Sequence, residues 1–257
     1  AKLGALDFAG GTVVHINAGV SALALALVLG PRRGFKEREP TEPNSIPMVL
    51  IGAALLWFGW FGFNAGSALT SGGLASSAFV ATNISAASAA LTWMILSGVS
   101  RRPSLLGAAT GAVVGLVAIT PAAGFVHPLA GIPIGAIASV LSYQVMTWRN
   151  RANKVDESLD VFACHGIGGI WGAFATGIFA TVIVNSSGAD GLIYGNGIQV
   201  LKQLTSVAAI GGYSFGISWG LAKILKATMG LSVNATEETV GLDISQHGER
   251  AYGGTLR

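Results

Sequence analysis

The stretch DFAGGTVVHINAG, from Asp7 to Gly19, decides how the chain is interpreted, because it opens a long apolar run yet carries an Asp and a His. On a helix, His15 would lie roughly 12 Å along the axis from Asp7. A second stretch, DVFACHGIGGIWG from Asp160 to Gly172, has the same ingredients: an Asp, a His and paired glycines. Ionisable groups inside a membrane segment are costly, so the two histidines indicate function.

The composition is that of an integral membrane protein. Of the 257 residues, 51% are hydrophobic and 11% are charged, whereas a soluble domain typically carries about 25% charged residues. The 37 glycines suit helices that pack backbone to backbone through small residues. The net charge of +3 is concentrated in short loops, which indicates membrane orientation rather than nucleic-acid binding.

Seven apolar stretches are each long enough, at about 20 residues or more, to cross a bilayer core of roughly 30 Å. They lie near residues 6–30, 46–70, 74–98, 104–124, 128–148, 161–184 and 197–229. Polar, basic or proline-containing segments separate them. The sequence therefore predicts an all-α polytopic membrane protein, with a transmembrane domain over residues 1–230 and a polar tail over residues 231–257.

The distribution of Lys and Arg predicts the orientation. Basic residues follow the first, third and fifth stretches and are absent from the loops after the second, fourth and sixth. The positive-inside rule assigns the basic loops to the cytoplasm, so we expect a cell-membrane protein with a cytoplasmic C-terminal tail.

In this orientation, Asp7 lies at the outer end of its helix and Asp160 at the inner end of its own. Two such segments, entering from opposite faces, are typical of an inverted repeat whose halves converge near the bilayer midplane. The simplest role for both carboxylates is to cap a helix N-terminus, and the alternative is direct contact with a substrate.

Five stretches carry a resemblance to a known family. In chain order they are DFAGGTVVHI from Asp7, GWFGFNAGSA from Gly59, PSLLGAATGAVVGLVAITPAAGFV from Pro103, DVFACHGIGGIWGAFATGIFA from Asp160 and HGERAY from His247. Together they resemble the ammonium transporter (Amt) family of bacteria, archaea and plants, over essentially the whole chain. That family has eleven spans in two inverted halves, and this chain resembles spans five to eleven plus the tail. We therefore expect a fragment or a natural truncation in which the first four spans are missing.

The resemblance implies roles for residues along a pore. His15 and His165 resemble twin histidines whose imidazoles face each other. Trp60 resembles a pore-lining aromatic residue, and Phe63 resembles one of two rings stacked across the outer entrance. Ser67 resembles the hydroxyl of an outer ammonium recruitment site.

Further positions match the edges of that pore. Thr120 resembles part of a TPA motif beside the outer vestibule, and Asp7 resembles an acidic residue that organises the vestibule through the backbone. A cytoplasmic signature motif matches Asp243, His247, Gly248, Glu249 and Tyr252. We expect Gly253 and Gly254 to end a short helix in this tail.

The chemistry of such residues suits ammonium. Ammonium and potassium ions are nearly the same size, but only ammonium donates hydrogen bonds and can release a proton. Aromatic faces attract a cation by roughly 0.5–2 kcal/mol, and a dry pore lets neutral ammonia pass while opposing a bare ion. Passage of ammonia and net transport of ammonium charge both stay open, and the resemblance favours the second, with proton co-movement.

The resemblance also implies partners: a homotrimer with one pore per subunit, and a PII-type regulatory protein at the cytoplasmic face. The resemblance implies a tail that docks on cytoplasmic loops of its own and the neighbouring subunit, where basic residues around Arg32 and Arg149 to Lys154 offer charge partners for Asp243 and Glu249. No cofactor is expected, and Cys164 beside His165 offers too few ligands for a metal.

Two alternatives stay open. The chain could belong to an ammonium sensor that signals through its tail, or be an inactive fragment. An intramembrane enzyme would need a nucleophile or metal motif, and neither G-x-S-x-G nor H-E-x-x-H occurs, so we expect no enzyme.

Overall fold

Each predicted apolar stretch contains a helical segment in the computed structural model, which describes residues 3–39, 41–100 and 102–252. The segments of the first five stretches are a π-helical turn Thr12–Ile16 with α1 (Asn17–Leu29), α2 (Ile46–Gly66), α3 (Gly73–Ser100), α4 (Leu105–Ile119) and α5 (Gly131–Ala152). Those of the last two are a π-helical turn Phe162–Ile167 with α6 (Gly168–Phe179), and α7 (Ile198–Thr228). The prediction of an all-α protein is confirmed.

Among the described residues, five of the seven helical segments are both long and apolar enough to cross a membrane. The other two differ for separate reasons. α4 has only 15 residues, because the chain leaves the helix around Thr120 and Pro121 and continues as tight turns. α7 has 31 residues, but its Lys, Gln, Ser and Gly residues lower its mean hydropathy.

Local sequence signals explain where several helices begin and end. Ser45 caps α2 by accepting a hydrogen bond from the Met48 amide at 3.4 Å, and a proline lies in the first turn. Ser104 caps α4 in the same way, 3.0 Å from the Gly107 amide. Asn153 ends α5 in the left-handed conformation, which Asn tolerates better than most residues.

The core lies between α3, α4 and α5, whose contact faces are rich in small residues. Ser85 on α3 donates to the Gly115 carbonyl of α4 at 2.8 Å, and Ser139 on α5 donates to the Ala89 carbonyl of α3 at 2.6 Å. Small residues let these helices approach closely, and the hydroxyls satisfy backbone carbonyls between them.

Helix α2 lies at the edge of this core and leaves an apolar face uncovered. Leu55 is 65% exposed and Phe58 is 76% exposed, whereas Trp60 and Asn64 on the opposite side are buried. The buried side holds α2 against α3 and α4, with Asn64 donating to the Thr82 hydroxyl at 2.9 Å.

The tail forms two short helices, α8 (Ala235–Val240) and α9 (Leu242–His247). A reciprocal pair of hydrogen bonds between Asn234 and Glu237 caps α8. Gly248, with a φ of 71°, ends α9, while the predicted terminating residues Gly253 and Gly254 lie outside the described part of the chain.

The tail contacts the loop between α1 and α2, but through other residues than predicted. The Arg33 amide donates to the Glu238 carboxylate at 3.0 Å, and the Asn44 side chain donates to the Tyr252 hydroxyl at 2.8 Å. Within the described part of the chain, Asp243 does not pair with a basic loop. Its carboxylate instead accepts from backbone amides of the tail, including that of Ala251 at 3.1 Å. The predicted pairing of Asp243 within this chain is therefore wrong.

Two of the basic residues predicted to pair with the tail bind carboxylates of the segment after α5 instead. Arg32 pairs with Asp156, with an Nη2–Oδ1 distance of 2.6 Å. Arg149 pairs with Glu157 and Asp160. Glu249 contributes a backbone amide, which donates to the Asp243 carbonyl at 3.1 Å.

Candidate functional site

His15 and His165 meet in the interior of the protein. Their Nδ1 atoms are 3.2 Å apart, and the ring centroids are 5.3 Å apart with planes tilted by 40°. If both rings are neutral, one carries its proton on Nδ1 and donates it, and the other carries its proton on Nε2. The buried Nε2 of His15 has no hydrogen-bond partner among the described residues, so it is free to meet a small molecule.

Two glycines let the histidine-bearing segments pack closely. A Cβ atom on Gly19 would lie 2.2 Å from the amide nitrogen of Gly166, and one on Gly169 would lie 3.2 Å from the Cβ of His15. Position 15 thus faces position 169, and position 19 faces position 166. The two segments therefore run antiparallel, as an inverted repeat requires.

Both histidines lie in π-helical turns, Thr12–Ile16 and Phe162–Ile167. Such turns are rare in proteins, and those that do occur are often found at functional sites. The carboxylate of Asp7 caps the first turn, accepting from the Thr12 amide at 2.9 Å and the Val13 amide at 3.3 Å. These bonds satisfy amides that the helix itself leaves free.

The second turn is capped by Glu157 rather than Asp160. The Glu157 carboxylate accepts from the Phe162 amide at 2.6 Å, whereas Asp160 adopts a left-handed φ of 54°. The capping role predicted for Asp160 is therefore wrong. Glu157 precedes His165 by eight residues, as Asp7 precedes His15. This equal spacing was the signal that could have identified Glu157 from the sequence.

Arg149 joins both carboxylates near the second turn. Its guanidinium donates to the Glu157 carbonyl at 2.6 Å and to the Glu157 carboxylate at 3.0 Å, and it also pairs with the carboxylate of Asp160. The Arg149 side chain is only 12% exposed. Sequence reasoning treated this arginine as one of several basic loop residues and missed its place at the site.

The first turn has a support of a different kind. Gln203 of α7 is buried, and its side-chain amide accepts from the Leu6 amide at 2.6 Å and donates to the Leu6 carbonyl at 2.7 Å. Leu6 precedes Asp7, so this pair of bonds holds the backbone from which the capping carboxylate extends.

Aromatic residues form one wall of the site. Trp60 stacks on His15 with a centroid distance of 5.2 Å and an interplanar angle of 22°. Phe63 contacts Trp60 edge-on, at a centroid distance of 6.0 Å. One turn further along, the Ser67 hydroxyl donates to the Phe63 carbonyl at 2.8 Å, which leaves its oxygen lone pairs free to accept.

Thr120 supports this wall from behind. Its hydroxyl accepts from the Trp60 indole nitrogen at 2.9 Å and donates to the Leu116 carbonyl at 2.7 Å. The side chain is fully buried, so the structure places Thr120 behind Trp60 rather than on the surface of the predicted pore.

Two open, mostly apolar cavities of about 280 Å³ each extend from the histidines along α2. The first is lined by His15, Leu55, Leu56, Gly59, Trp60 and Phe63. The second reaches toward the start of α2 and is lined by Leu56, Cys164 and His165, among others. The histidine pair therefore separates two apolar spaces, an arrangement that suits a small neutral molecule with hydrogen-bond donors.

The described residues hold no group of three or more His, Cys, Asp or Glu side chains that could bind a metal ion. Cys164 is buried and forms no disulfide.

Comparisons with known proteins identify relatives over nearly the whole chain. The chain matches the Ammonium Transporter Family over residues 1–252. It is 53% identical to ammonium transporter Amt1 of Archaeoglobus fulgidus, over 98% of this chain and 63% of that protein. It is 47% identical to an ammonium transporter of Bacillus subtilis, over 98% of this chain and 62% of that protein.

Solved structures agree with these relatives. The structure of Candida albicans Mep2 matches with a TM-score of 0.85 and 34% identity, over 92% of this chain and 54% of that one. A sensor Amt protein matches with a TM-score of 0.85 and 31% identity, over 95% of this chain and 61% of that one.

Proposed function

The chain belongs to the ammonium transporter family, as an all-α multi-pass membrane protein, and we propose that it carries the histidine pair of an ammonium transport pore. The observation that carries this proposal is the bond between His15 and His165, whose Nδ1 atoms are 3.2 Å apart between two mostly apolar cavities. Ammonium can donate hydrogen bonds and release a proton. An imidazole pair between two apolar cavities favours a substrate with both properties.

The aromatic wall supplies the recruitment step. Phe63 is 41% exposed, and its ring face attracts a cation that has shed part of its water, which is worth roughly 0.5–2 kcal/mol. Ser67 supplies an acceptor for an N–H bond. Aromatic faces also attract sodium and potassium ions, but these ions cannot donate a hydrogen bond to a hydroxyl oxygen.

Passage beyond Trp60 requires the substrate to become neutral. A bare monovalent ion in a mostly apolar cavity has lost its hydration, which costs far more than the aromatic attraction returns. Ammonia is neutral and small, and it can exchange hydrogen bonds with the imidazoles of His15 and His165. Potassium cannot release a proton and is therefore retained outside.

The histidine pair also offers a route for the released proton. Because its two Nδ1 atoms share one hydrogen bond, the pair has two tautomeric arrangements that differ in which ring donates. A proton taken up at the bare Nε2 of the donating ring, transfer of the shared proton to the other Nδ1, and release of that ring's Nε2 proton together carry one proton across the pair and leave it in the second arrangement. We propose net movement of ammonium charge on this ground, with ammonia and the proton crossing separately.

The expected assembly is a homotrimer in the cell membrane, with the tail of each subunit in the cytoplasm. The expected role of this assembly is nitrogen uptake. The tail is held against the first loop by the contacts of Arg33 with Glu238 and of Asn44 with Tyr252. This loop is basic, as cytoplasmic loops are. A PII-type protein that binds at this face would act on the exits of the pores.

A sensor is the second candidate, because a sensor Amt protein has a closely similar structure. The test is to reconstitute the full-length protein in proteoliposomes and apply a pulse of ammonium. A sustained ammonium current, without a potassium current, supports a transporter. Ammonium binding without current or uptake supports a sensor and contradicts the proposed transport.

A further inference from the structure

A buried ionic cluster lies where α5 ends and the His165 turn begins. It contains Arg149, Glu157 and Asp160, whose side chains are 12%, 6% and 26% exposed. Water screens such a cluster poorly, so the two acids depend on the arginine for compensation. Removing the arginine would leave two like charges close together in a poorly solvated place.

The cluster is joined directly to the His165 turn. One oxygen of Glu157 accepts from the Phe162 amide at 2.6 Å, while the other accepts from Arg149 at 3.0 Å. Phe162 is the first residue of the turn. Its ring lies close to Gly166, where a Cβ atom would be 2.9 Å from the ring. A shift of Glu157 would therefore move the backbone on both sides of His165.

Arg149 itself is held in place. It is on the last turn of the 22-residue helix α5, and its guanidinium also donates to the Asn150 side chain at 2.9 Å. The flat, forked guanidinium can contact the Glu157 carbonyl, the Glu157 carboxylate and the Asp160 carboxylate at once. A lysine ammonium, as a compact point charge, cannot reproduce this geometry.

We propose that Arg149 is a positioning residue for the pore, which holds Glu157 and Asp160 so that His165 stays aligned with His15. This proposal rests on the proposed transport function. Arg149 acts through the turn and does not touch the substrate. Its loss releases the Phe162 cap, shifts the turn and lengthens the distance between the two imidazole nitrogens.

The test uses the full-length protein in proteoliposomes and measures the ratio of ammonium current to potassium current. Arg149→Gln should lower this ratio roughly tenfold to hundredfold, the effect of a misplacement of about 1 Å at a reacting group. Arg149→Lys should lower it less. Arg151→Gln is the matched control, because Arg151 is an exposed arginine in the same helical turn, and it should leave the ratio unchanged.

A second pair of variants separates positioning from damage to the fold. Glu157→Gln keeps an oxygen for the Phe162 amide without a charge that needs Arg149. The double variant Arg149→Gln with Glu157→Gln should therefore recover part of the ratio lost in Arg149→Gln alone. The amount of trimer that each variant forms is measured by size exclusion, and the currents are normalised to this amount of folded protein.

The outcomes are distinct. If wild-type protein gives no ammonium current, the transport function itself fails. If wild-type protein is selective and folded Arg149→Gln is equally selective, only the positioning role is overturned. If the double variant is no better than Arg149→Gln, Arg149 does not act through Glu157 and the proposal is again overturned.

Discussion

Gly19 lies against Gly166 so closely that a Cβ atom on the first would be 2.2 Å from the amide nitrogen of the second. Real Cβ atoms do not approach backbone nitrogen to this distance, so position 19 has no room for a side chain. The contact joins α1 to the turn that carries His165. The separation of the two imidazoles therefore depends on a residue that has no side chain at all.

Gly19→Ala should displace the His165 turn and disrupt the histidine pair. We expect ammonium transport by the full-length protein to fall roughly tenfold to hundredfold, since a misplacement of about 1 Å has this effect. Gly212→Ala is the control, because nothing lies within 4 Å of a Cβ atom built on this helical glycine. Uptake of radiolabelled methylammonium measures both, and equal uptake by the two variants would contradict the close-packing argument.

The histidine pair itself should set discrimination against potassium. Without imidazoles, the path no longer favours a substrate that gives up a proton, so the double variant His15→Ala with His165→Ala should conduct potassium measurably. Current recordings at equal potassium and ammonium concentrations check this. A potassium conductance that stays at the wild-type level in the double variant would count against the proposed selectivity.

The sequence could predict that His15 and His165 are paired, because each follows a carboxylate and precedes glycines in an apolar stretch. The equal eight-residue spacing could have indicated Glu157 as the cap of the second turn, but the sequence alone could not exclude Asp160. Glu157 and Asp160 are three residues apart and both precede the helix. In the structure, Asp160 adopts a left-handed φ and its carboxylate pairs with Arg149, which leaves Glu157 as the cap. Neither feature can be read from the sequence.

The ends of the helices, too, could be predicted only in part from the sequence. Apolar length predicted a helical segment in each of the seven stretches, since hydrophobic content is read directly from the chain. It overstated α4, which ends at Ile119, because apolar residues continue through the turns that follow. The π-helical turns have no local signature either, and each lies where the two histidine-bearing segments meet: α1 packs against Phe162–Ile167, and α6 packs against Thr12–Ile16.

Thr120→Val should weaken the support of Trp60 without changing the shape of the side chain much. The Trp60 indole N–H would lose its acceptor at 2.9 Å, and a buried unsatisfied donor costs about 1–3 kcal/mol. We expect a lower unfolding temperature in detergent and reduced ammonium uptake. Thr205→Val is the comparison, because the Thr205 hydroxyl is exposed and, among the described residues, bonds only the Leu201 carbonyl. Equal effects of the two variants would mean that Trp60 needs no such support.

Asp156 ties two basic loops together and should give a pH-dependent contribution to stability. Its carboxylate accepts from the Arg32 amide at 2.7 Å and from the guanidinium at 2.6 and 2.8 Å. The side-chain hydrogen bonds from Arg32 hold the pKa of Asp156 below its ordinary value of 3.8. The stabilisation is therefore complete above this ordinary value and is lost as the pH falls through the lowered pKa.

Asp156→Asn should accordingly lower the free energy of unfolding by about 1 kcal/mol at neutral pH. A charged hydrogen bond contributes about 1.5–3 kcal/mol, and the 47% exposure of the Arg32 side chain reduces this value. The difference from wild type should shrink at pH values below the lowered pKa. Thermal unfolding across this range measures it, and a difference that is independent of pH would contradict the assignment.

Deletion from Asp243 onward should test whether the tail couples the pores of a trimer. The deletion removes α9 except Leu242, together with the Tyr252 contact with Asn44, but keeps the Glu238 contact with Arg33. Exposed contacts of this kind contribute about 0–1 kcal/mol each, so the tail should detach easily and act as a switch. We expect lower ammonium uptake and a loss of cooperativity in mixed trimers of deleted and intact subunits. Tyr252→Phe, which removes only the hydroxyl bonded to Asn44, should reproduce a small part of the effect. Unchanged uptake together with unchanged cooperativity would show that this segment has no part in regulation.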